Sequence, residues 1–378
     1  MKKLLLIFGT RPEAIKLIPL IRILRTNYPE LDVKVCTTGQ HGLLLTQVLD
    51  TFELVPDYTF SLMRGGQNLT DLTSAILKNV SDLLKDIRPD MVVVQGDTTT
   101  SMASALASFY CGIPVAHVEA GLRTNNPFSP WPEEINRQIV ARIASLHFAP
   151  TIQAGKNLEK ENIPKASVHV TGNTVVDAMN IARELIDMRA VEIDEKLNKI
   201  IPGIQNKKIV LITGHRRESF GSDIESICYA LSILANDFRN IHFIYPVHLN
   251  PNVIEPVHRI LGKSSLKNIH LIEPLDYLLF IALMNRSEII LTDSGGIQEE
   301  APGLGKPVMV TRNTTERTEG IQEAMAMLVG TGKEKIIKEM SAFLLGVNEF
   351  FKDAVKSNPY GDGNASLKIA EILNRYLR

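Results

Sequence analysis

The feature that most narrows the folds open to this chain is an alternation, run through twice, between short apolar segments bounded by turn residues and longer segments of helical periodicity. In the first half the apolar runs fall at residues 4–8, 33–37, 91–94, 115–118 and 147–148. A second series follows Lys207, at 209–213, 241–245, 269–272, 289–292 and 307–310. A brief run of buried-type residues followed by an amphipathic helix is the sequence form of a βαβ unit with parallel strands. The expected fold is therefore α/β, with two Rossmann-like domains. A length of 378 residues agrees, since domains run to ~150 residues each. We place the first domain at 1–190, the second at 207–357 and a mostly helical tail at 358–378. The charged stretch 186–208, with Pro202-Gly203 near its end and no clear strand, is read as the linker.

Composition removes several classes of function. Forty-one Lys and Arg balance 42 Asp and Glu, for a net charge of −1, so the broad basic field that drives nucleic-acid binding is missing and any anion site must be local. Three cysteines, Cys36, Cys111 and Cys228, lie far apart without a CxxC pair. That fits neither a disulfide framework nor a zinc knuckle and points to a reducing cytoplasm. The apolar run after Met1-Lys2-Lys3 lasts five residues, too short for a signal peptide or for the ~18 residues that span a bilayer. We expect no membrane and no nucleic-acid partner.

In open parallel sheets ligands bind at the carboxyl ends of the strands, so the post-strand loops carry the functional argument. After the first strand comes Gly9-Thr10-Arg11-Pro12-Glu13, with Lys16 one turn on; Arg11 and Lys16 can reach over the helix N-terminus toward an anion, although a capped helix with surface charges accounts for the segment as well. After residues 91–94 comes Gly96-Asp97-Thr98-Thr99-Thr100, where Asp97 or Thr98 can cap a helix. The next strand delivers Glu119 to the same sheet edge, and Trp131-Pro132-Glu133-Glu134 opens a helix on which Glu133 and Arg137 fall at i and i+4. A surface ion pair is the plain reading of that last pair.

In the second half, Gly214-His215-Arg216-Arg217-Glu218 gathers a histidine and two arginines on one loop, suited to an anionic leaving group. The segment Asp293-Ser294-Gly295-Gly296 joins a strand end to a helix start through two glycines, which let the backbone approach a phosphate closely. Glu300, one turn later, can accept from both hydroxyls of a ribose, and Arg317 follows the next strand. There is no GxGxxG, no Walker A and no HExxH pattern.

Taken together and in this order, those segments and His117-Val118-Glu119-Ala120-Gly121-Leu122-Arg123 resemble the non-hydrolysing UDP-N-acetylglucosamine 2-epimerases, from the first strand to the turn at Asn358-Pro359-Tyr360-Gly361-Asp362-Gly363. The resemblance implies the glycosyltransferase-B architecture with the active site in the inter-domain cleft, the tail helix crossing back to the first domain, and a cytoplasmic homodimer. It implies reversible inversion at C2 between UDP-GlcNAc and UDP-ManNAc through elimination of UDP to 2-acetamidoglucal, supplying cell-surface polysaccharide synthesis, with no NAD or metal. It also implies catalytic roles for Asp97, Glu119, Glu133, Arg137 and His215. Arg11 and Lys16 reach the substrate from the first domain; Ser294, Gly295, Gly296 and Arg317 hold phosphates, Glu300 the ribose, and Phe280 with the backbone of Leu275 the uracil.

This chain departs from the family pattern at three places. Gln40-His41 continues as Gly42-Leu43-Leu44-Leu45 in place of Arg-Glu-Met-Leu, in a region that with the histidine matching His248 binds an activating second substrate in bacterial members. Thr318 stands where the family has proline after Arg317, and Glu323-Ala324-Met325 replaces Ala-Gly-Thr. The alternatives are an epimerase for another UDP-2-acetamido sugar, a glycosyltransferase of the same architecture, and a non-catalytic nucleotide-sugar sensor.

Overall fold

The computed structural model describes residues 1–40, 42–63, 66–214, 216, 220–262, 266–315, 317–353 and 358–378. It contains two parallel sheets, and every strand within a sheet is joined to its successor through a helix, as the α/β expectation requires. Seven strands form the first sheet: β1 Lys2–Phe8, β2 Leu31–Thr37, β3 Tyr58–Thr59, β4 Met91–Gln95, β5 Val115–Val118, β6 Leu146–Ala149 and β7 Val168–Val170, in the order β3-β2-β1-β4-β5-β6-β7. The second comprises β8 Lys208–Thr213, β9 Ile241–Pro246, β10 Ile269–Ile272, β11 Ile289–Thr292, β12 Val308–Val310 and β13 Ala326–Leu328, in the order β10-β9-β8-β11-β12-β13. The three strands the periodicity did not reveal, β3, β7 and β13, are two or three residues long and lie at sheet edges. Runs that short carry no readable alternation.

Central strands read as apolar runs because both faces are covered: Leu4 to Phe8 and Met91 to Val94 are fully buried. Between β1 and β2 runs the helix Arg11–Asn27, started by a capping box in which Thr10 accepts from the Glu13 N–H and the Glu13 carboxylate accepts from the Thr10 N–H.

The contacts divide the chain into two units, Met1–Ile181 with Tyr360–Arg378, and Ala182–Pro359. The stretch read as a linker is largely helical. Thr174–Met188 and Ala190–Ile200 are helices, and the division falls inside the first of them. In the first unit the helix Ala365–Leu377 packs on Arg11–Asn27. Asn364, at its N-cap, makes no side-chain cap; the Asp177 carboxylate instead accepts from the N–H groups of Ala365 (3.3 Å) and Ser366 (2.7 Å). Just before that helix, Tyr360 is buried and its carbonyl accepts from the Asn173 N–H at 2.8 Å. No helix among the described residues is long and apolar enough to cross a membrane.

Candidate active site

In each sheet the chain reverses its direction of growth once, between β1 and β4 in the first and between β8 and β11 in the second. The loops leaving such a pair of strands diverge and open a crevice at their carboxyl ends. All the motif segments picked out after β1, β4, β8 and β11 fall at these two positions.

In the first unit, Gly96 has φ +69° and turns the chain out of β4 into Asp97, while Thr98 caps the helix Thr99–Tyr110 by accepting from the Ser101 N–H. Thr98, not Asp97, is thus the cap, and the Asp97 carboxylate is available to the Arg137 guanidinium, at 2.9 Å from Nε and 2.6 Å from a terminal nitrogen. Asn136 donates to the Asp97 carbonyl at 2.9 Å. Arg137 also donates to Glu134 Oε2 at 2.9 Å, and Glu134 in turn accepts from the N–H groups of Thr124 and Asn125. The i, i+4 spacing pointed to Glu133 as the helix partner of Arg137; an ion pair forms at i, i+3 with Glu134, which is fully buried. Glu133 occupies the first residue of the helix Glu133–Ile143.

Glu119 leaves β5 with φ +66°, a conformation that a non-glycine residue holds only where its surroundings over-determine it. Those surroundings are polar and dry. The Glu119 carboxylate pairs with Lys16, side-chain exposures being 6% and 7%, and accepts from Asn173 Nδ2 at 3.4 Å. A buried pair of this kind stands or falls together, since removing one partner strands the other charge. Arg11 is half-buried in the first turn of the same helix as Lys16. Beneath the Gly96 turn lies His117, fully buried, with Nε2 2.8 Å from the Gly96 carbonyl. Burial pulls its pKa down to about 3, so the ring is neutral and Nε2 carries the donated proton.

In the second unit, β11 leads through Asp293 to Ser294, the N-cap of the helix Gly295–Gly303. Asp293 is buried and accepts from the Arg216 N–H at 2.8 Å, tying the loop after β8 to the loop after β11. A Cβ on Gly295 would stand 2.7–2.8 Å from the Arg317 guanidinium, so glycine is what lets that cation lie on the helix start; Gly296 faces open space, with Ser294 Oγ at 3.9 Å its nearest neighbour. Arg317 donates from Nε to Glu299 Oε1 at 2.8 Å, both side chains buried. Glu300 is buried rather than a surface residue, and Tyr277 Oη donates to its Oε1 at 3.4 Å. Leu275 and Phe280 are half-buried, flanking the cap Asp276 and the first turn of the helix Tyr277–Arg286. His215, with Arg217 and Glu218, lies outside the described residues.

The structure thus brings Asp97 to Arg137 and Lys16 to Glu119 in the first unit, and Gly295 to Arg317 in the second. Sequence reasoning missed Glu134, Asn136, Asn173 and Glu299 as the groups that hold these side chains. Only Glu134 and Glu299 carried any signal, as the acidic neighbours of residues already singled out.

A family model described as UDP-N-acetylglucosamine 2-epimerase matches residues 24–374. The UDP-N-acetylglucosamine 2-epimerase of Salmonella typhimurium is 50% identical over 375 residues, 99% of each chain, and that of Escherichia coli K12 is 50% identical over 372 residues, 98% of each. Among solved structures, the UDP-GlcNAc 2-epimerase of Neisseria meningitidis bound to UDP-GlcNAc superposes with a TM-score of 0.94 at 46% identity, covering 99% of this chain and 100% of that one. The Methanocaldococcus jannaschii UDP-GlcNAc 2-epimerase, in complex with UDP-GlcNAc and UDP, gives 0.85 at 34% identity, covering 99% of both chains.

Proposed function

We propose, from the premise that this chain belongs to the UDP-N-acetylglucosamine 2-epimerase family, that it interconverts UDP-GlcNAc and UDP-ManNAc by inversion at C2. The observation that carries the reading is the pairing of two carboxylates with two cations at one sheet edge, Asp97 with Arg137 and Glu119 with Lys16. The C2 proton is not next to a carbonyl, so its removal calls for a positioned carboxylate. In the elimination a base takes that proton, the C2–H electron pair becomes the C1=C2 double bond of 2-acetamidoglucal, and the C1–O bond breaks with its pair passing to UDP. Addition reverses each step after a proton has been delivered to the opposite face of C2.

Asp97, Glu119 and Glu133 are the acid–base candidates, and Arg137 with His215 answers the charge that develops. Arg11 and Lys16 bind substrate from the first unit. In the second, we assign the diphosphate to Ser294, Gly295, Gly296 and Arg317, where a helix N-terminus and a guanidinium both favour the negative charge that builds on the leaving group. Glu300 takes the ribose, and Phe280 with the backbone of Leu275 the uracil. We further infer a cytoplasmic homodimer, whose interface would cover the exposed Phe109 and Tyr110 at the end of the helix Thr99–Tyr110, and a product used in cell-surface polysaccharide synthesis.

Proton NMR of the protein with UDP-GlcNAc in deuterated water tests the reading. UDP-ManNAc bearing deuterium at C2 is the expected product; bound but unchanged UDP-GlcNAc would overturn it and direct the same assay to other UDP-2-acetamido sugars.

A further inference from the structure

Glu13 has no part in the proposed reaction, yet it is 1% exposed and is held from two different loops. Its Oε2 accepts from the N–H groups of Gly9 at 3.0 Å and Thr10 at 2.7 Å, in the loop after β1. Its Oε1 accepts from Thr98 Oγ1 at 2.7 Å and lies 3.1 Å from Ser101 Oγ, in the first turn of the helix after β4. The Asp97 turn is fastened from its other side by His117 at the Gly96 carbonyl and by Asn136 at the Asp97 carbonyl. Glu13 is the fastening toward β1, where Arg11 and Lys16 begin the helix.

Counting protons shows the state in which this junction closes. Thr98 has one hydroxyl proton, directed at Oε1. Ser101 also has one, and its hydroxyl bonds to the Gln95 carbonyl as well as facing Oε1. An ionised Glu13, an acceptor only, leaves two acceptors competing for the Ser101 proton. A proton on Oε1 resolves the conflict: Glu13 donates to Ser101 Oγ, Ser101 donates to Gln95, Thr98 donates to Oε1, and Oε2 keeps both backbone donors.

We propose that Glu13 is a positioning residue, acting as a neutral carboxylic acid, that fastens the turn carrying Asp97 to the helix start carrying Arg11 and Lys16. The kinetic part of this rests on the epimerase reading; the protonation part does not. Burial works in the same direction, raising the carboxyl above its ordinary range against the lowering effect of its hydrogen bonds. The charged groups nearest it on the surrounding elements are Arg11 and Lys16 on its own helix, whose Arg22 and Arg25 lie two or more turns further on, and Asp97 on the opposite loop, and of these Lys16 pairs with Glu119 and Asp97 with Arg137. The helix Thr99–Tyr110 and β4 bring no charged side chain, and β1 has only Lys2 and Lys3 at its far end.

Glutamine keeps the neutral acid's acceptor toward the Gly9 and Thr10 N–H groups and its donor toward Ser101, and loses only the acceptor for the Thr98 hydroxyl, so Glu13→Gln is the discriminating variant, set beside Glu13→Ala and the milder Ser101→Ala. In isotope-edited infrared difference spectra of wild type against Glu13→Gln at neutral pH, a protonated-carboxyl C=O band is expected. Per folded molecule, Glu13→Gln is expected to keep kcat within a few-fold, while Glu13→Ala loses about 10–100-fold in kcat with a smaller change in KM, the scale of a misplaced catalytic group. Ser101→Ala should fall between them and serves if Glu13→Ala does not fold. Absence of the carboxyl band overturns the neutral acid, as does a Glu13→Gln enzyme no better than Glu13→Ala. Full kcat in both alanine variants overturns the positioning role. A wild type that turns over no UDP-GlcNAc refutes the epimerase reading, and the infrared arm then decides the protonation state by itself.

Discussion

Ala324 offers a test of the backbone argument that needs no substrate. The short helix Thr318–Gln322 ends with Glu323, followed by Ala324 at φ +55°. The Met325 N–H reaches back to the Gly320 carbonyl at 2.9 Å and the Ala324 N–H to that of Ile321 at 3.1 Å. This crossed pair of bonds is a Schellman cap, whose left-handed residue is ordinarily glycine, and glycine is the residue the family pattern leads one to expect here. A left-handed alanine costs about 1–2 kcal/mol. Glycine would return about 0.4–1 kcal/mol of that through the greater freedom of its unfolded chain, and a few tenths more for the half-buried methyl. The net expectation for Ala324→Gly is stabilisation by about 0.5 kcal/mol, or roughly 1–2 °C in the transition of a unit this size. Urea unfolding of wild type, Ala324→Gly and Glu323→Gly should separate the causes. Residue 323 has φ −89°, so glycine there removes order without relieving strain and should destabilise. A loss of stability in Ala324→Gly, or equal shifts in both variants, would refute the assignment of strain to residue 324.

Other expectations follow from the buried polar groups. Glu119→Gln should nearly abolish turnover while the chain stays folded, with a lowered midpoint because Lys16 is left facing a neutral acceptor; an active variant removes Glu119 from the mechanism. Arg137→Met strands the buried Glu134 and should cost about 3–5 kcal/mol in denaturant unfolding, and Arg137→Lys should recover only part of it, because one ammonium cannot span both carboxylates. His117 has a folded pKa near 3 against ~6.5 unfolded, so the unfolded chain takes up its proton first as pH falls and stability declines through that window; nitrogen NMR should find the ring still neutral, protonated on Nε2, at pH ~5, and an imidazolium signal there would contradict its burial. Asp177→Ala removes the cap of Ala365–Leu377 and should raise amide exchange in that helix by the equivalent of about 1–2 kcal/mol. Unchanged exchange would deny it that role.

Much of this was readable because each strand of the two sheet centres is an apolar run and each run hands its chemistry to the next loop; Asp97, Glu119 and the Ser294 turn could all be found that way. What could not be read was set by distance in sequence. The partners of Glu119 come from Lys16 and Asn173, more than fifty residues away on either side, and no local pattern announces them. That Glu134 also pairs with Arg137 turned on side-chain direction from one helix, a matter of a single residue that i, i+4 spacing does not reveal. Glu13 drew no reading of its own, since two of its partners, Thr98 and Ser101, belong to a segment reached only after β4.

The asparagine beside Glu119 also bears on how the enzyme is made. Asn173 is seated by the carbonyl of Tyr360, and Ala365–Leu377 lies against the helix that bears Lys16. During synthesis on the ribosome, residues 360–378 emerge only after the entire second unit, so for most of that time the first unit waits for its closing segment and the Asn173 N–H lacks its acceptor. A chain that stops before Tyr360 lacks the carbonyl that holds the Asn173 N–H, so the loss falls on the half of the protein translated first.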